Sequence, residues 1–286
     1  MRWTPGDRSN IEDMRGRSGG RGMAMGAGGL GIGGLLLLLV LSWATGIDLT
    51  SIAGGGGGVS PPPNDAVGTS GSVTASPEEE RMVDMVDAVM DDGQDTWTRL
   101  LGGRYQETRA VLFRDAINSA CGFAQAATGP FYCPADRKVY LDLGFFSELH
   151  HKLGAPGDFA QAYVLAHELG HHVQTITGVE SQVRQRQASS PAARNQLSVR
   201  MELQADCFAG VWGHHANKGD GRVQLEEGDI EEGLNAAASI GDDRLQRMQG
   251  GRVAPDRFTH GSSQQRLEWF KRGLQSGDPN VCNTFQ

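Results

Sequence analysis

The sequence has no excess of positive charge. With 26 Lys and Arg against 34 Asp and Glu it carries −8 at pH 7. No basic stripe is available to neutralise phosphates, which excludes nucleic acid as a principal partner. Charge of either sign is missing between Arg21 and Asp48, where the centre reads Leu35-Leu-Leu-Leu-Leu-Val-Leu41. Such a run can cross a hydrocarbon core as a helix, which takes about 20 residues. Cysteine is scarce: only Cys121, Cys133, Cys207 and Cys282 occur, all after this run. Residues 50–75 lack the side chains of a core and consist largely of Gly54–Gly58, Pro61-Pro62-Pro63 and scattered Ser, Thr and Gly.

These absences divide the chain into a polar tail (1–21), a transmembrane anchor (22–48), a flexible linker (49–75) and a globular domain (76–286). Arg2, Arg8, Arg15, Arg17 and Arg21 precede the apolar run, against Asp7, Glu12 and Asp13. That flank predicts a single-pass membrane protein with a cytoplasmic N-terminus and an extracytoplasmic domain. A cleaved signal peptide competes, because Ser42-Trp43-Ala44 resembles a small-x-small cleavage site, but the long leading segment favours an anchor. Either way the domain is exported. As a random coil the linker reaches about 28 Å, enough to hold the domain clear of the bilayer. Export permits disulfides. Four cysteines allow three connectivities, of which Cys121–Cys133 and Cys207–Cys282 are expected. The first would close a Gly-, Ala- and Pro-rich loop, and the second would pin the C-terminus to a long helix.

Within the domain, Ser76-Pro77-Glu78-Glu79 opens a helix that Asp91-Asp92-Gly93 should end. Ala110–Phe113 and Lys138–Leu143 read as strands. A helix from Gly157 or Asp158 to about Thr177, another from Ser190-Pro191 through Trp212, weaker helices over 225–250 and a last one opened by Ser262-x-x-Gln265 complete the order. The expected class is α+β, mostly helical with a small sheet.

The stretch His167-Glu168-Leu169-Gly170-His171 carries the chemistry. Residues i and i+4 of a helix lie one turn apart on one face, so His167 and His171 can hold one metal ion, with Glu168 beside it as general base. A third histidine six residues on is excluded, since position 177 is Thr. Glu202 and Asp206 are one turn apart among Met201, Leu203, Ala205, Cys207 and Phe208, where a carboxylate needs a partner. Glu202 is the expected third ligand, and Asp206 the acceptor for a ligand-histidine N–H. His260 or Tyr140 could stabilise an oxyanion, and the Lys138–Leu143 strand could pair with an extended substrate. His172 is expected to pack or face solvent, and His150-His151 and His214-His215, near element ends, to take surface roles.

The chain resembles the neutral zinc metallopeptidase family of bacterial membrane-anchored proteins. The resemblance rests on Gly129–Asp142, Gly154–Gln174, Leu203–Trp212 and Phe258–Gly261 and covers roughly residues 76–286. It implies a zincin-type fold holding one Zn²⁺ on His167, His171 and Glu202, with Glu168 as acid/base and a peptide or protein as substrate. Two alternatives stand beside it: a non-catalytic, zinc-stabilised binding module, and a zinc hydrolase acting on a cell-wall amide or ester. Nothing in the residues fixes the oligomeric state.

Overall fold

The computed structural model describes residues 1–16, 75–126, 129–219 and 221–285. The span expected over 22–48 and the linker that follows lie outside these residues. Among the described residues no helix is long and apolar enough to cross a membrane.

Ser76 caps the first helix, α1 (Pro77–Leu101), by accepting from the Glu79 N–H, with Pro77 in the first turn. Met85, Val86, Val89, Met90 and Trp97 are buried along it. The expected stop at Asp91-Asp92-Gly93 falls inside this helix. Asp92 points inward, where it accepts from Trp212 Nε1 at 2.8 Å and from the Val223 N–H at 3.0 Å. A residue type that usually marks a turn here serves as a buried acceptor, and burial raises its pKa.

The main sheet runs β2 (Ile11–Asp13), β3 (Arg109–Phe113), β7 (Lys138–Asp142), β6 (Phe131–Cys133). The first three are parallel, and β6 is antiparallel to β7. The expected Lys138–Leu143 strand exists but is not an edge: β3 and β6 flank it, so β7 has no free side for a substrate. The free edge on that side belongs to β6. Alternation along the strands sends Ala110, Leu112, Val139 and Leu141 into the main core and Val111, Phe113 and Tyr140 to the other face. On that second face Ile117 of a hairpin, β4 (Ala116–Ser119) and β5 (Gly122–Gln125), packs against the cluster. Cys121 in its turn is bonded to Cys133 of β6.

Two short helices, α2 (Gly144–His151) and α4 (Val179–Ser189), flank the motif helix α3 (Asp158–Ile176). The long α5 (Arg194–Ala216) packs on α3 and on the last helix, α8 (Ser263–Ser276), which opens with the expected Ser262/Gln265 capping box. Between them come α6 (Asp229–Ser239) and α7 (Asp242–Met248). Cys207 on α5 is bonded to Cys282, which fastens the C-terminal turn to that helix. The architecture is α+β, with small sheets on a helical body.

One part of the expected organisation needs correction. Residues 1–16 are not a detached tail: β1 (Arg2–Trp3) pairs antiparallel with β8 (Val223–Gln224), and β2 forms one edge of the main sheet. The tail is unreadable as structure from sequence because two- and three-residue strands have no periodicity of their own. Only their partners make them strands.

Candidate metal centre

The centre forms where α3 crosses α5. The helices come close because Gly170 has no side chain; a Cβ there would lie 2.9 Å from the Ala205 carbonyl oxygen. His167, Glu168 and His171 are brought from α3 and Glu202 from α5; His167, Glu168 and Glu202 are buried and His171 is half-buried. His167 Nε2 lies 3.2 Å from one Glu202 carboxylate oxygen, and His171 Nε2 lies 3.6 Å from the other. One ligand atom from each of the three residues falls within 4.8 Å of the others. Tetrahedral zinc with bonds of about 2.0–2.1 Å spaces neighbouring ligand atoms roughly 3.3 Å apart. The donor set therefore fits zinc in both chemistry and spacing.

The outer nitrogens of both histidines are tied back. His167 Nδ1–H donates to Asp206 at 2.9 Å, which makes Nε2, turned to Glu202, the nitrogen that would meet a metal. Asp206 also accepts from Tyr163 Oη at 2.5 Å and from Arg266 Nε and Nη2, each at 2.9 Å. Arg266 reaches this buried position from α8, with its remaining nitrogen on the Ile240 carbonyl. His171 Nδ1–H donates to Gln174 Oε1 at 2.9 Å. The Gln174 amide continues to the Met201 carbonyl and to Gln204, which donates to the Cys282 carbonyl. Asp206 thus occupies the expected place. Tyr163, Gln174 and Arg266 have no such expectation behind them. Two signals in the sequence point their way: Gln174 follows His171 by three residues, and Arg266 shares a helix face with Phe270 and Gly273.

The charges are strongly coupled. Burial pulls His167 down, but Asp206 and Glu202 lift its pKa to about 10. His171 is raised against the same burial by Glu202. Burial would raise Glu202, yet His171 and His167 hold it well below its ordinary range. Glu168 is shifted upward because burial outweighs the nearby histidines, and its carboxyl has no hydrogen-bond partner among the described residues.

The other candidates divide. His260, on the loop before α8, faces the pocket closely enough to help depress Glu202. Asp242 builds that loop: one of its oxygens accepts from the backbone N–H groups of Thr259, His260 and Gly261, and the other from His260 Nδ1–H at 3.1 Å. Tyr140 is elsewhere. It sits on the sheet face turned away from α3, stacked on Phe131, with its hydroxyl donating to Asp136 at 2.6 Å. The alternation of β7 decides this, since Val139 and Leu141 take the face toward the helix. His172 is buried: it accepts from Tyr132 Oη at 3.0 Å and donates to the Gln106 carbonyl, and burial pulls its pKa down to about 4. It thereby ties the edge strand β6 to the motif helix. His214 and His215 bond the carbonyls of Leu274 and Gly277.

A family profile described as "Putative neutral zinc metallopeptidase" matches residues 1–285. The chain belongs to the neutral zinc metallopeptidase family. Among its relatives in that family is the Escherichia coli K12 protein named "Uncharacterized protein YpfJ", 49% identical over all of this chain and 99% of that one. Two mycobacterial relatives, Mb2605 of Mycobacterium bovis and Rv2575 of Mycobacterium tuberculosis, are each 45% identical over 66% of both chains. No solved structure matches the chain. The profile extends to the first residues of the chain, beyond the 76–286 span that carries the sequence resemblance.

Proposed function

We propose that this member of the family is an exported, zinc-dependent peptidase of zincin type that hydrolyses peptide bonds in a peptide or protein. The observation that carries the reading is the convergence of His167, His171 and Glu202 beside an unpartnered Glu168 carboxyl. When bound there, a single Zn²⁺ would supply acidity to water and polarise the scissile carbonyl. Glu168 takes the proton from the attacking water and returns it to the leaving amine. Asp206 and Gln174 hold the two imidazoles with Nε2 inward throughout the cycle. His260, fixed by Asp242, donates toward the oxygen that becomes negative. An extended substrate adds as a strand along β6, whose outer edge has no partner among the described strands. Two disulfides support an oxidising compartment.

The non-catalytic reading requires a fourth protein ligand. Asp206 is turned away to Arg266, Tyr163 and His167, and His260 Nδ1 is engaged by Asp242. Neither arrangement favours a closed structural site.

Glu168→Gln should keep one zinc per chain and lose hydrolysis by roughly 10²–10⁴-fold. Zinc analysis is paired with identification of products released by wild type and not by the variant. Undiminished activity of the variant would overturn the mechanism. Products that are all cell-wall amides or esters would move the substrate to that class. His260→Ala should keep zinc and lose kcat by about 10²-fold.

A further inference from the structure

Residues 1–16 and residues 75–285 flank the uncharged apolar run, yet they form one hydrogen-bonded unit. Ile11, Glu12 and Asp13 lie in register with Ala110, Val111 and Leu112. The Ala110 N–H donates to the Asn10 carbonyl at 2.9 Å, and the Met14 N–H to the Leu112 carbonyl at 2.8 Å. At the other end of the segment, Arg2 and Trp3 pair with Gln224 and Val223, and the Thr4 N–H donates to the Arg222 carbonyl at 3.0 Å. Trp3 and Ile11 pack on the main core, and Met14 on the cluster beneath the hairpin.

The side chains hold this segment to the domain as firmly as the backbone does. Arg15, 1% exposed, makes ion pairs with Asp13, Glu79 and Glu80 at 2.6, 3.0 and 2.9 Å. Arg8 bridges Glu80 at 2.7 Å and Asp84 at 2.5 Å, while its N–H donates to Asp87. Arg2 pairs with Glu226 at 3.0 Å, and Glu12 receives Lys138 at 2.8 Å. A guanidinium buried to this degree is tolerated only when it is paired, and two of the three carboxylates around Arg15 belong to α1.

These contacts engage three of the five arginines from which the expected topology is read. The positive-inside rule weighs Lys and Arg near the end of a span, but Arg2, Arg8 and Arg15 are engaged by carboxylates, four of them on the domain. A single crossing by residues 22–48 would set about 30 Å of hydrocarbon between groups held within 3.0 Å of each other. Pairing with a second copy of the chain does not avoid this, because the second copy's N-terminus would lie on the same side as the first's.

We propose that residues 1–16 are an intramolecular clasp docked on the α1–β3–β8 face of the domain, and that clasp and domain lie on the same side of the membrane. This inference stands apart from the peptidase reading, because it uses no residue of the metal centre.

Two experiments on the full chain test it. Thr4 and Gln275 are exposed on the clasp and on α8, and the four native cysteines are in disulfides. Thr4→Cys and Gln275→Cys, made singly, are treated in spheroplasts with a maleimide that does not cross the inner membrane. Labelling of both establishes a common, exported side. Labelling of both only after lysis supports the clasp and overturns export. Labelling of one without the other overturns the clasp. In the second experiment, a protease site is inserted between residues 60 and 70 and cut in purified protein. The N-terminal piece should co-purify with the domain at neutral pH and separate in urea. Separation without urea overturns the proposal.

Discussion

Asp206 stands between His167 and Arg266, and its role can be read from what its loss would leave behind. Asp206→Ala would strand a buried guanidinium and free the His167 ring. A loss of about 3–5 kcal/mol is expected from the unpaired charge. At a few degrees per kcal/mol for a domain of this size, thermal unfolding should shift down by roughly 10 °C. Gln174→Ala removes a neutral partner instead. It should lower zinc affinity by about 10- to 100-fold, measured by competition with a chelator, with a smaller effect on melting. At this scale much of the centre is legible in the sequence. His167, Glu168 and His171 announce themselves through helical spacing, and Glu202 through a carboxylate set among apolar neighbours. Arg266 is not legible as a partner of Asp206, since sixty residues separate them and only the packing of α8 on α5 joins them.

The elements differ in how far they depend on their surroundings. The capped starts of α1 and α8 follow from local chemistry, whereas the continuation of α1 past Asp92 depends on Trp212 and Val223. Phe131–Cys133 becomes a strand only by pairing with β7, and so the sequence pattern points to β7 as an edge where, among the described strands, the edge is β6. The crossing of α5 and α8 is set by glycine. A Cβ on Gly210 would lie 2.0 Å from the Phe270 carbonyl oxygen, and one on Gly273 would lie 1.9 Å from that of Cys207. Gly210→Ala should therefore force the helices apart and cost about 1–3 kcal/mol in denaturant unfolding. Gly103→Ala, where nothing lies within 4 Å of the added carbon, should stay within about 0.5 kcal/mol.

Across the whole molecule, the long-range ties are the two disulfides and the N-terminal clasp. Cys207 and Cys282 are 75 residues apart, whereas Cys121 and Cys133 are separated by only 12. By loop-closure entropy, replacing the first pair with Ala should cost roughly 4 kcal/mol and the second roughly 3 kcal/mol. The first replacement should also weaken zinc binding, because Gln204 leans on the Cys282 carbonyl. The clasp should be acid-labile. Hydrogen bonds from Arg8 and Arg15 lower Glu80; Arg114 and Arg15 lower Glu79 against the burial that would raise it. A depressed carboxylate contributes stability that is complete above its unfolded value of 4.5 and is lost as pH falls through the folded one. In the cut protein, the N-terminal piece should therefore stay bound from pH 6 to 9 and loosen progressively as pH falls below 4.5, as followed by size-exclusion chromatography.

The sequence by itself pointed to the candidate metal ligands, the candidate general base and the N-caps of the first and last helices, and it favoured the disulfide pairing that the structure contains, because each depends on local spacing or on a small number of candidates. Tertiary structure decided the rest. It turned Tyr140 away from the centre, made β6 the edge in place of β7, gave Asp206 its arginine, and drew the first sixteen residues into the domain. Those outcomes depend on which faces meet in three dimensions, and a one-dimensional pattern carries that information only where a helix or strand is long enough to show its period.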